Sequence, residues 1–151
     1  MVRIMMKKTV LSFLLGIFSL AGCTSSGTAG IGVLDGKLKL CPASSNCVSS
    51  QSTGDRHGME AIPYTMTAEE TKGKLRDIIK GMEGSSIVAE KDDYIHAEYR
   101  SAIFRFVDDV EFYFDDTRKL IHFRSASRVG NYDFGVNRKR MEAIRKKFLT
   151  P

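Results

Sequence analysis

Tryptophan is absent from the 151 residues, and proline, histidine and cysteine occur only three times each. The aromatic load therefore falls on nine Phe and five Tyr. No apolar run is long enough to cross a bilayer as a helix, because the longest, residues 10–20, falls well short of the ~20 residues required. No internal repeat or low-complexity array is visible, and no motif dictates a reaction. Acidic residues are missing from positions 1–22, which carry Arg3, Lys7 and Lys8. The formal charge of +5 reflects 23 basic and 18 acidic residues, and without those 22 positions it falls to 20 against 18, or +2. So small an excess does not imply nucleic acid as a partner.

What is present at the start is a basic end, a short apolar run and small residues, the pattern of a secretory leader. Leu20-Ala21-Gly22-Cys23 resembles the lipobox of bacterial lipoproteins. That resemblance implies cleavage after residue 22, diacylglycerol on the Cys23 thiol and an acylated new amino terminus. Thr24 stands where an Asp would retain such proteins at the inner membrane, so the expectation is the periplasmic face of the outer membrane. Residues 23–40 then read as a lipidated Cys followed by a Gly-, Ser- and Thr-rich flexible tether, and 41–151 as a single domain.

Beyond Cys23, only Cys41 and Cys47 remain. In an oxidising envelope two such close thiols are most simply a disulfide, and so short a ring contributes about 2 kcal/mol by the loop-entropy argument. Zinc would need two further ligands, with only His57 near in sequence. A nucleophilic Cys47 would need a base that the sequence does not place.

The domain reads as a strand near 61–65, a helix, four strands and a second helix. Thr67-Ala68-Glu69-Glu70 is a capping box, and Leu75, Ile78, Ile79 and Met82 recur at helical spacing across 68–82. Four β-type runs follow at 87–91, 94–101, 103–115 and 120–127. Their connections are too short for crossovers, so they form an antiparallel meander. Residues 136–149 close the chain as a helix with Met141, Ile144 and Phe148 on one side. The expected fold is a two-layer α+β domain with both helices on one sheet face.

Alternation assigns the faces. Phe104, Phe106, Val110, Phe112 and Phe114 share one, while Arg105, Asp109, Glu111 and Tyr113 share the other. A two-residue turn at Ser101-Ala102 would put Glu98 opposite Arg105. One at Asp116-Thr117 would put Asp109 opposite Arg124, Glu111 opposite His122 and Asp108 opposite Ser125.

The segments Cys41-Pro42-Ala43-Ser44-Ser45-Asn46-Cys47-Val48-Ser49-Ser50, Phe104-Arg105-Phe106-Val107-Asp108-Asp109-Val110-Glu111-Phe112, Arg124-Ser125-Ala126-Ser127-Arg128-Val129-Gly130 and Gly135-Val136-Asn137-Arg138 resemble the domain-of-unknown-function family 1499. The likeness covers nearly all of 41–148. It implies an exported or membrane-associated bacterial protein, with relatives in plastids and no established activity. Ser45 departs from a Pro common in the family, which touches only the local turn. No catalytic residue and no cofactor is implied.

Function is therefore sought on the charged face. His96, Glu98, Arg100, Arg105, Asp109, Glu111, His122, Arg124 and Arg128 could present forked donors to a phosphate, carboxylate or glycan, or simply keep an open sheet soluble. Two His and a carboxylate could in principle hold a metal, but the spacing matches no recognised motif. Asp108 falls by parity on the apolar face. There it is either rotated outward by a bulge or buried against Ser125 or backbone amides, and a catalytic acid paired with His96 or His122 is the enzymatic alternative. Arg138, Lys139, Arg140, Arg145, Lys146 and Lys147 could lie on anionic headgroups or form a solvated helix face. The leading reading is a non-enzymatic envelope lipoprotein that binds an envelope protein, glycan or anionic small molecule through the charged face. The alternatives are a hydrolase-like enzyme and a purely structural lipoprotein. Mass analysis of the membrane-extracted protein should find acyl groups on Cys23, and a soluble product beginning elsewhere would refute the leader assignment.

Overall fold

The computed structural model describes residues 30–151; Cys23 and the segments expected to be a leader and the first part of a tether lie outside the described residues. Helix α1 (Ala68–Lys80) opens on Thr67, whose hydroxyl accepts from the Glu70 N–H while the Glu70 carboxylate accepts from the Thr67 N–H. This reciprocal pair satisfies two amides that a helix start leaves open. Leu75 and Ile79 are buried on its inner stripe, and Gly81 ends it. Helix α2 (Val136–Leu149) buries Asn137, Met141, Ile144 and Phe148 at helical spacing.

Among the described residues six strands form one antiparallel sheet: β1 (Cys47–Ser49), β2 (Ile62–Pro63), β3 (Ser85–Lys91), β4 (Tyr94–Arg100), β5 (Val107–Asp115) and β6 (Leu120–Ser127). The order is β1-β6-β5-β4-β3, and β2 also pairs with β6. β1 lies beside the end of β6 and β2 beside its start. The segment 41–58 is thus more than a lead-in, because it supplies an edge strand. The Cys41–Cys47 disulfide closes it, with an S–S length of 2.06 Å.

Both helices cover one face of the sheet. Leu75, Ile79, Met141, Ile144 and Phe148 pack with Ile95, Ala97, Tyr99, Val110, Phe112, Phe114, Ile121 and Phe123 into a single core. Fully burying such side chains contributes roughly 1.5–3 kcal/mol each, which makes this layer the main source of stability.

The strand faces follow the sequence alternation, but two registers differ from those expected. Neither Ser101 nor Ala102 favours the positive φ that a two-residue hairpin turn needs. Residues 101–106 instead form a loop closed by Ser101 N–H donating to the Phe106 carbonyl at 2.9 Å and Phe106 N–H donating to Ser101 Oγ at 2.9 Å. Arg105 adopts a left-handed φ of 57° within it. β5 therefore begins at Val107 rather than near 103, Glu98 faces Asp109 and not Arg105, and Phe104 and Phe106 are exposed. The next turn is also longer than expected. Asp115 pairs with Leu120, and the Asp115 carboxylate accepts from the Arg118 N–H at 3.0 Å. Glu111 consequently faces Arg124, Tyr113 faces His122, Asp109 faces Ala126 and Ser125 faces Val110. Both differences are even numbers of residues, so no side chain changes face.

Candidate functional site

The charged side of the sheet is an interior and not a wet surface. His96, Asp109, Glu111 and Arg124 are buried, and Glu111 is 0% exposed. Residues 31–39, read from composition as tether, lie across this face. Gly32 N–H donates to Glu111 Oε1 at 2.7 Å. Leu38 N–H donates to Gln51 Oε1 at 2.8 Å, and Gln51 Nε2 donates to the Gly36 carbonyl at 2.9 Å. Gly36 has a left-handed φ of 71°, and a Cβ there would sit 3.5 Å from the Tyr113 hydroxyl, so this turn suits glycine.

Beneath that strap each carboxylate is matched. Glu111 also accepts from the Tyr94 hydroxyl at 2.9 Å and from Arg124 Nη1 at 3.2 Å. Asp109 accepts from His96 Nε2 at 2.7 Å and from two nitrogens of Arg128 at 2.8 and 2.7 Å. Burial works to raise the Asp109 carboxyl, but the hydrogen bonds from Arg128 and His96 outweigh it and hold it down at about 2. Burial and the Glu111 charge push the Tyr94 phenol far above its ordinary value, so it stays a donor. Glu98 takes Arg128 and Arg100.

Arg105 does not join this network, because its loop carries it away; it borders an open hollow shared with Glu98 and Arg100. His122 is bonded to Ser50 through Nδ1 at 3.2 Å and stacks on Tyr113, and burial lowers its pKa. The two imidazoles thus have separate partners.

Asp108 is buried on the opposite, helix-covered face. It accepts from Arg140 Nη2 at 2.6 Å, and Arg140 Nη1 donates to Ser125 Oγ at 3.1 Å. The partner expected for Asp108 was Ser125 or a backbone amide; a guanidinium from α2 takes that place. The sheet itself separates Asp108 from His96 and His122, so the expected acid–imidazole grouping does not exist.

Sequence reasoning missed Asn46 and Asn137, and it placed Arg140 in an outward basic set although that side chain turns inward onto Asp108. Asn137 is fully buried, where Ser125 Oγ donates to its Oδ1 at 2.6 Å and its Nδ2 donates to the Asn46 carbonyl at 3.2 Å. The available signal was spacing, since 137, 141, 144 and 148 mark one helical stripe and only the first is polar.

Beside this polar cluster a groove lies at one end of the domain, between the 101–106 loop and residues 127–136. The groove holds about 500 Å³ and is walled by Phe104, Phe106, Val129, Tyr132, Phe134 and Val136, with Asp108 and Asp133 at its base. Phe104 stacks on Phe106, and Tyr132 meets Phe134 edge-on at 4.9 Å. The walls are fixed from behind. Asn46 Nδ2 donates to the Gly130 carbonyl at 2.7 Å, Ser45 N–H to the Asn131 carbonyl at 3.2 Å, and Asp133 accepts from the Gly135 and Asn137 amides at the start of α2.

Half of the basic set on α2 is committed internally. Arg138 donates to the Asp55, Arg56 and Gly58 carbonyls, Arg140 to Asp108, and Arg145 to Glu60 and the Ala61 carbonyl.

The architecture is an α+β domain whose sheet is covered by helices on one side and by its own N-terminal strap on the other, with an aromatic groove at one end. Residues 37–148 match the model of the family described as "Protein of unknown function (DUF1499)", and the chain belongs to that family. Neither a curated protein nor a solved structure matches it.

Burial makes the two arginines of the expected charged face unequal. Arg124→Ala leaves Glu111 charged in a dry site and should cost about 3–5 kcal/mol. Arg105→Ala, on an exposed loop, should shift stability by roughly 0.5 kcal/mol or less. Urea unfolding midpoints of the two variants check the contrast, and equal small shifts would mean that the face is open to water.

Proposed function

We propose that this is a lipid-anchored protein of the bacterial envelope whose domain is a non-enzymatic binding module. Its binding surface is the aromatic groove and not the charged sheet face. The observation that carries this reading is exposure: Phe104 is 73%, Tyr132 65% and Phe134 78% accessible, all three lining the groove. Single exposed apolar residues are ordinary, but several around one concavity mark a site of contact. On the charged face the buried carboxylates are already paired with Arg124, Arg128, His96 and Tyr94, and the open hollow of about 640 Å³ beside Glu98, Arg100 and Arg105 has no aromatic wall. The cleft beside Arg124, Arg128 and Lys39 holds only about 150 Å³ and includes Asp109.

A non-enzymatic role agrees with the chemistry of the floor. Asp108 is locked to Arg140, and no imidazole or thiol lines the groove. The apolar fluorophore N-phenylnaphthylamine tests the reading. It should bind the purified protein saturably, and Phe104→Ser with Phe134→Ser should abolish binding while leaving far-UV circular dichroism unchanged. Undiminished binding to that double variant would show that the groove is not the site.

A further inference from the structure

We infer that the groove end of the domain is a second membrane contact, in which the 101–106 loop and residues 129–136 insert their apolar side chains into the bilayer interface beside the lipid anchor. This deepens the binding-module reading by naming the occupant of its groove as the lipid surface.

Three observations converge on it. The first is the direction of the loops. Ile103, Phe104, Tyr132 and Phe134 are among the most exposed large apolar residues, and all belong to these two loops. Arg105 and Phe134 hold left-handed φ values of 57° and 55°, a conformation that bulky residues rarely adopt. Residues 129–136 are nevertheless tied to the disulfide segment and to the start of α2, and the 101–106 loop is closed by its own Ser101–Phe106 hydrogen bonds, so both present their side chains as a fixed surface. Aromatic residues favour the headgroup level of a bilayer, where a ring can be apolar on its body and polar at its edge, as Tyr132 is.

The second is where the described chain begins. Ile31 lines the same small cleft as Ser127 and Arg128, and Ser127 and Val129 line the aromatic groove. The chain therefore leaves the domain at the groove end. Seven residue steps from Cys23 to residue 30 span at most roughly 25 Å. A lipid on Cys23 would hold this end, and not the helices or the far strand β3, closest to the membrane.

The third is charge. Arg105 stands between Phe104 and Phe106, and Lys139 lies near Val136 on the flank of the groove. Neither side chain is in an ion pair within 4.0 Å among the described residues. Of the groove acids Asp108 is neutralised by Arg140, whereas Asp133 is held by amides of α2 and keeps its charge, and Glu83 lies on the outer flank. Arg105 and Lys139 are thus cations at the rim of the aromatic surface that can meet anionic phospholipid headgroups.

The absence of Trp makes the test direct, because an introduced indole is the only one in the chain. The full chain carrying Phe104→Trp, Phe134→Trp or, on β3, Val88→Trp is reconstituted in vesicles of phosphatidylethanolamine and phosphatidylglycerol brominated on their acyl chains. Emission from the two loop positions should shift to the blue and be quenched, emission from position 88 should do neither, and the loop quenching should weaken in phosphatidylcholine vesicles. Flotation of the same preparation, with and without Cys23→Ala, reads the anchor separately. Loop emission that stays water-like while the protein floats through Cys23 would overturn the inference and leave the anchor standing. Probe binding in the N-phenylnaphthylamine experiment would likewise survive that result. A blue shift that appears without vesicles and grows with protein concentration would assign the surface to a second copy of the chain and overturn it equally.

Discussion

A carboxylate with no access to water lies at the centre of the polar side of this sheet, and much of the fold's N-terminal organisation follows from it. Burying the Glu111 charge unpaired would cost several kcal/mol, so each of its oxygens must be met inside the protein. Arg124 across the strand pair, Tyr94 from β4 and the Gly32 amide from the strap meet them. The third partner is the informative one. A backbone amide 79 positions away in sequence can reach Glu111 only if the N-terminal segment crosses the sheet, so the strap closes the face that the helices leave uncovered.

The sheet therefore has two interiors of opposite character. One is apolar and packed under α1 and α2; the other is a set of matched charges under the strap. Between them the backbone of β4, β5 and β6 keeps Asp108 from the histidines, which removes the acid–base pairing that the residue types alone suggest. The third polar group, Asp108 with Arg140, Ser125 and Asn137, lies at the junction of β6 and α2. Together with Asn46 on the disulfide segment it borders and fixes the loop that carries Tyr132 and Phe134. The Cys41–Cys47 ring gains a purpose here, since it shapes the segment from which Asn46 and Ser45 hold residues 130 and 131.

The sequence disclosed which side of the sheet each strand residue occupies, because alternation depends only on parity. It also disclosed both helices, through the Thr67 to Glu70 cap and the Met141, Ile144 and Phe148 stripe. Turn lengths were not legible. The expected registers were displaced by two and by four positions, and an even displacement leaves parity intact, so the pattern of Phe residues could not reveal it. Phe104 and Phe106 were assigned to the core for the same reason, since they continue the alternation of β5 beyond its true start at Val107. The burial of the charged face was not legible because the strap that covers it continues directly from the Gly-, Ser- and Thr-rich residues 24–30 and was read with them as one tether. The available signal was the apolar content of residues 31–39, where Ile31, Val33, Leu34 and Leu38 stand among the glycines and charges and Leu38 is buried.

The account depends most on that strap being seated on Glu111. Amide hydrogen exchange at Gly32, followed by NMR in the folded protein, measures it directly. The structure expects the Gly32 amide to be protected well above its unfolded rate and to lose that protection in Glu111→Gln before the amides of β5 do. A Gly32 amide that exchanges at the unfolded rate in the unmodified protein would mean that the strap is free, the polar face open and the closed second interior wrong.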